Sequence, residues 1–183
     1  MSIELGKVGI WRHPSGLTPE VVAEVEALGY GTIWVGGSPP GDLAVVEHLL
    51  DTTEHIAVAT GIVNVWKDDA ATVGASYHRI TARHPGRFLL GLGIGHPEAT
   101  REYQRPYAAL VSYLDQLDDL KVPVEGRVLA ALGPRVLRLS APGSCVSRRS
   151  GPRARTPTWS RRSTRVRPGR SLATGRCSPR NRS

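Results

Sequence analysis

Four polar side chains, His13, Ser38, Asn64 and His96, each fall within or just after a short apolar run. An imidazole titrates near neutral pH and can take or give a proton, so His13 and His96 are the candidates for acid/base work. The segment Gly91-Leu92-Gly93-Ile94-Gly95-His96-Pro97 offers different chemistry, since glycines after a strand let a backbone approach phosphate at a helix N-terminus. Its spacing fails the dinucleotide pattern G-x-G-x-x-G: the sixth position is His96 counted from Gly91 and Glu98 counted from Gly93. A tight strand-to-helix turn is the better reading. Cys145 and Cys177 stand far apart with no neighbouring ligand residues, so neither a metal site nor a structural disulfide is expected. His48, His55, His78 and His84 lie in or beside helical stretches, which suits surface or capping roles.

The elements that must position these groups alternate. Lys7 to Trp11 reads as a short buried strand, followed by a helix with Thr18 as N-cap, Pro19 in the first turn and Gly29 past its end. Val21, Val22, Val25 and Leu28 share one face of that helix. Thr32 to Val35 is a second apolar run, and Asp42 to Leu50 a short helix with Leu43, Val46, Leu49 and Leu50 inward. Ile56 to Trp66 is a third strand, whose Thr60-Gly61 step predicts a bulge or kink. A helix opened by Asp68 and Asp69 runs toward His84 with Val73, Tyr77 and Ile80 inward, and Phe88 to Leu92 is the fourth strand. Tyr103, Tyr107, Leu110, Leu114 and Leu117 recur at helical spacing. Arg127 to Leu132 and Pro134 to Leu139 supply a fifth strand and helix. Continuous apolar strands alternating with helices, with strand starts near 7, 32, 56, 87 and 127, mark a parallel sheet covered by helices. An open doubly wound sheet and part of a (β/α)8 barrel both fit. The polar candidates then sit at the C-terminal strand ends, the side on which such sheets bind ligands.

Charge divides the chain in two. Residues 142–183 hold 12 Arg and no Lys, Asp or Glu, which is +12 against −4 for residues 1–141. So few large apolar groups cannot offset the entropy of ordering, and a disordered basic tail is expected there. Its arginines promise salt-sensitive attraction to polyanions. Only Trp159 could stack on a base, and no nucleic-acid motif surrounds it, so no specific nucleic-acid partner is expected. No apolar run approaches the roughly 20 residues that span a bilayer, and Met1 to Gly6 lacks a secretory pattern. A soluble, cytoplasmic protein is the expectation.

Three stretches carry a family likeness: Lys7 to Trp11, Val58-Ala59-Thr60-Gly61-Ile62-Val63-Asn64-Val65-Trp66, and His84-Pro85-Gly86-Arg87-Phe88-Leu89-Leu90-Gly91-Leu92-Gly93-Ile94-Gly95. Across residues 3–141 the chain resembles the luciferase-like monooxygenase superfamily. The nearer branch is that of coenzyme F420-dependent oxidoreductases related to methylene-tetrahydromethanopterin reductase. The resemblance implies a (β/α)8 barrel, of which about five βα units are present. It implies an oxidoreductase passing hydride between F420 and a small organic substrate, with an FMN-dependent monooxygenase as the alternative and an inactive fragment or polyanion binder as a further one. By motif the cofactor would lie on a third-strand bulge with a cis Gly61–Ile62 bond. Asn64 would stand near the ring edge, Gly36 would leave room for the cofactor, and Gly93 and Gly95 would line the mouth. His96 stands where some relatives carry an acidic proton donor. A full barrel takes about 250 residues, so the Arg, Ser and Pro excess after residue 141 is expected to be a frameshifted C-terminus, and the sheet edges left unpaired are expected to favour self-association.

Overall fold

The computed structural model describes residues 3–95, 105–131 and 133–140. In chain order the elements are β1 (Gly9–Arg12), α1 (Pro19–Ala27), β2 (Thr32–Val35), α2 (Ala44–Asp51), β3 (Ala57–Thr60), β4 (Val63–Asn64), α3 (Ala70–Arg83), β5 (Phe88–Gly93), α4 (Pro106–Asp119), β6 (Arg127–Leu129) and α5 (Pro134–Ser140). Local chemistry sets the helix starts. The Thr18 hydroxyl accepts the Val21 N–H at 3.4 Å, and the Asp69 carboxylate accepts the Thr72 N–H at 2.8 Å. Both thereby satisfy a backbone donor that the first helical turn leaves unpaired. Gly29, at φ +80°, lets the chain leave α1 and turn into β2.

Every strand pairing is parallel. The order is β1, β2, β3, β5, with β4 continuing the line of β3 beside β5 and β6 on the far side of β5. Counted as one interrupted strand, β3 and β4 make the spatial order follow the chain order. Five successive βα units around a parallel sheet are the α/β arrangement of a partial (β/α)8 barrel.

Register partners share a face, and this divides the sheet cleanly. Ile33, Val58 and Phe88 are partnered across β2, β3 and β5 and lie fully buried in the core with Val46, Leu49, Ile80 and Leu117 from the helices. The alternate residues Trp11, Trp34, Ala59 and Leu89, also partnered in sequence, form the inner face outside that cluster. Continuous apolar strands are therefore needed, because both faces shed water.

Two expectations are corrected. The strand Lys7 to Trp11 is an exposed edge, with Val8 58% and Trp11 61% exposed, because among the described residues β1 pairs only with β2. Leu28 is 68% exposed, since α1 ends at Ala27 and the chain turns outward there. Among the other helical positions, Leu43, Val46, Leu49, Leu50, Val73, Tyr77, Ile80, Leu110 and Leu117 are buried as the spacing required. Tyr103 and the tail of residues 142–183 lie outside the described residues.

The connection between α2 and β3 is held from two sides. The Glu26 carboxylate accepts the backbone N–H groups of His55 at 2.7 Å, Ile56 at 2.8 Å and Glu54 at 3.1 Å. Arg87 donates to the carbonyls of Thr53 at 3.0 Å and Ile56 at 3.1 Å and to the Thr53 hydroxyl at 2.6 Å. His84 caps α3 and sits 2.9 Å from Asp51, while His78 meets the Leu120 carbonyl at 2.9 Å; His48 and His55 are exposed.

Candidate functional site

Parallel strands end on one side, so the segments that follow them converge. His13 follows β1, Gly36 to Ser38 follow β2, Gly61 and Ile62 separate β3 from β4, Asn64 ends β4, and Gly93 leads to Gly95 after β5. His13, Gly36, Gly61, Ile62, Asn64, Gly93 and Gly95 thus share one end of the sheet. His96 lies outside the described residues.

The third strand breaks at Gly61–Ile62, whose peptide bond is cis. The chain is anchored on both sides of the break. The Gly61 N–H reaches back to the Val35 carbonyl at 2.7 Å, and the Val65 N–H reaches the Gly93 carbonyl at 3.0 Å. Between them the Thr60 hydroxyl donates to the Gly91 carbonyl at 2.9 Å and accepts the Gly91 N–H at 2.8 Å. A Cβ on Gly91 would fall 1.8 Å from the Thr60 carbonyl oxygen, so only glycine lets the strands meet here. The bulge foreseen at Thr60-Gly61 is therefore a built feature, closed by side chain where the backbone ladder stops.

Around the break the groups divide by role. Asn64 is buried; its side-chain oxygen accepts the Trp66 N–H at 3.0 Å and its carbonyl accepts the Lys67 N–H at 3.0 Å, so it fixes the turn leaving β4. The Trp66 indole donates to the Ile94 carbonyl at 3.1 Å, tying that turn to the segment after β5. Ile62 lies against Gly93, where a Cβ would come within 3.0 Å of it. The exposed His13 ring lies against Gly37, and its Nδ1 accepts the Ser15 N–H at 3.3 Å. A neutral ring so held carries its proton on Nε2.

One residue at this end escaped the sequence reading. The Trp11 indole lies over Gly36, where a Cβ would be 2.1 Å from Cζ2, and its Nε1–H donates to the Gly61 carbonyl at 3.3 Å. The room that Gly36 leaves is thus taken by Trp11. A tryptophan inside an apolar run reads as core, and the only signal to the contrary was the paired glycines after β2. A separate cavity of about 330 Å³, lined by Ile3, Tyr77, His78, Phe88 and Glu125, opens at the opposite, N-terminal end of the strands, away from all of these groups.

With a parallel sheet and a glycine-rich break at the C-terminal end of its third strand, comparison with known proteins becomes decisive: residues 13–143 match the luciferase-like monooxygenase family. The chain belongs to that family. As a luciferase-like protein it is similar in fold to an F420-dependent secondary alcohol dehydrogenase solved with an F420-acetone adduct, with TM-score 0.52 and 17% identity over 64% of this chain and 42% of that one. A coenzyme F420-dependent tetrahydromethanopterin reductase from Methanopyrus kandleri gives TM-score 0.47 and 18% identity over 63% of this chain and 39% of that one. This luciferase-like chain therefore spans about two fifths of the length of the solved structures it matches. No curated protein sequence matches it. Among the described residues no group of His, Cys, Asp and Glu could hold a metal ion, and no helix is long and apolar enough to cross a membrane.

Proposed function

We propose that this luciferase-like chain belongs to an oxidoreductase that passes a hydride between deazaflavin coenzyme F420 and a small organic substrate. The observation that carries the reading is the break between Thr60 and Val63, which opens at the strand ends between Trp11 on one side and Gly93 on the other. By the family resemblance, the cofactor ring would lie on a third-strand bulge at this point. The residues present suit such a group: a flat conjugated ring needs close backbone approach and apolar walls, and Gly61, Ile62, Gly93 and the Trp11 indole supply them. When bound, F420 would supply the two-electron chemistry as hydride donor or acceptor.

The chain's own residues bind and orient. The Gly61–Ile62 backbone would face the ring, Asn64 would hold the turn at its edge, and Gly95 would line the mouth, while Gly93 leaves room for the Ile62 and Ala130 side chains. Gly36 acts through the indole seated on it. His13, exposed beside Gly37 after β1, would be the acid/base group nearest the ring. His96 is a second acid/base candidate from its place after β5.

Titration of the full chain with oxidised and reduced F420, and with FMN in parallel, tests the reading by absorbance and fluorescence. Saturable one-to-one F420 binding that is lost in Gly61→Val supports it. Absence of saturable binding, or binding that disappears with added salt and with removal of residues 142–183, overturns it.

A further inference from the structure

Trp11 is a large aromatic side chain left 61% exposed at the mouth of the site, yet it is not loose. One face lies on the Cα of Gly36, and the indole N–H is engaged by the Gly61 carbonyl. Its register partner on the inner face, Trp34, turns the other way: Trp34 Nε1 lies 3.3 Å from where a Cβ on Gly9 would stand, toward the N-terminal end of the strands. The two indoles thus occupy different floors, and Trp11 alone reaches the strand ends. A tryptophan ordinarily hides most of its surface. Here two glycines are spent on seating the ring while its outer face is presented in a fixed plane, beside the carbonyl of the residue at the third-strand break.

We infer that the outer face of Trp11 is a stacking wall for a planar conjugated heterocycle, the cofactor ring, and that Gly36 is small in order to set that plane. The inference rests on the function proposed above. A ring lying against the Gly61–Ile62 backbone would meet the outer face of an indole whose N–H edge the Gly61 carbonyl holds, so one hydrogen bond couples the wall to the bulge. Fixing the plane in advance lowers the ordering cost of binding.

The test is F420 binding by the full chain and three variants, followed both by F420 fluorescence and by quenching of tryptophan emission, with circular dichroism and mass by light scattering on each. Trp11→Ala is expected to weaken binding about tenfold or more, in line with loss of a base-sized stacking contact. Trp11→Phe is expected to keep most of the affinity while losing a large part of the quenching. Gly36→Ala, which dislodges the indole without removing it, is expected to weaken binding as Trp11→Ala does, and the double variant to be no worse than either. Equal affinity in wild type and Trp11→Ala overturns the inference and leaves the proposed function standing. A change in assembly mass with unchanged affinity also overturns it, assigning Trp11 to self-association through the β1 edge. No F420 binding by the unmodified chain overturns the function itself, and the wall with it.

Discussion

The Thr60 side chain and the Gly91 backbone bond each other twice, the hydroxyl giving to the carbonyl at 2.9 Å and taking from the amide at 2.8 Å. These are the bonds that a continuous third strand would have made with β5. Thr60→Val keeps the shape and removes both, leaving a buried N–H and C=O unpaired, so urea denaturation should show a loss of about 2 to 4 kcal/mol with little change in m. Thr60→Ser should keep most of the stability. Gly91→Ala, with its Cβ forced onto the Thr60 carbonyl, should fail to give a folded product by circular dichroism.

Glu26 should make stability depend on pH in a defined direction. Partial burial alone would raise its carboxyl, but the amides of His55, Ile56 and Glu54 and the guanidinium of Arg87 outweigh this and hold it below the ordinary value of 4.5. A group depressed in the folded state stabilises above its unfolded value and loses that contribution as pH falls through the folded one. Glu26→Gln is expected to cost about 1 to 2 kcal/mol at neutral pH. The gap from wild type should narrow below pH 4.5 and close in stronger acid, as denaturant melts across that range will show.

Tyr113 carries the opposite defect. Its hydroxyl is buried and has no hydrogen-bond partner among the described residues, and burial, then the charges of Asp68 and Asp69, push its ionisation well above the usual tyrosine range. Tyr113→Phe removes a polar atom that gains nothing from its position, so the denaturation midpoint should stay level or rise by up to about 1 kcal/mol. In the wild type, Tyr113 should resist spectrophotometric titration in alkali until the chain unfolds, and Tyr77, also raised by burial, should titrate late as well.

Among the described residues β1 has no partner beyond its outer edge and β6 none beyond β5. Exposed strand edges template pairing with another chain. Sedimentation velocity should therefore show mass rising with protein concentration, and Val8→Lys, at an exposed edge position, should shift the distribution toward monomer with unchanged secondary structure.

Much of the architecture was legible because it rests on local rules. The Thr18 and Asp69 caps, the run of inward residues Leu43, Val46, Leu49 and Leu50, and the parallel β order all follow from side-chain type and spacing. Exposure of β1 was not legible, since Val8-Gly9-Ile10-Trp11 has the composition of a buried strand and only the sheet order makes it an edge. Tyr113 was missed because the stripe through Leu110, Leu114 and Leu117 already accounted for a helix face, and the neighbouring position buries against α3 as well. At the candidate site, the convergence of His13, Ser38 and Asn64 followed from strand polarity, while Gly36, Gly61 and Gly93 were reached only through the family resemblance. The seating of Trp11 on Gly36 followed from neither, because a contact between residues 25 positions apart leaves no periodic trace.

The run His84-Pro85-Gly86-Arg87-Phe88, which opens the stretch carrying the family likeness, lies where β5 begins, and its Arg87 binds the carbonyls of the loop entering β3. That is the end of the sheet remote from Trp11 and the strand break. The family-like run from His84 to Gly95 thus serves both rims of the sheet: its first residues pin the loop entering β3, and its glycines Gly91 and Gly93 let β5 meet the strand break.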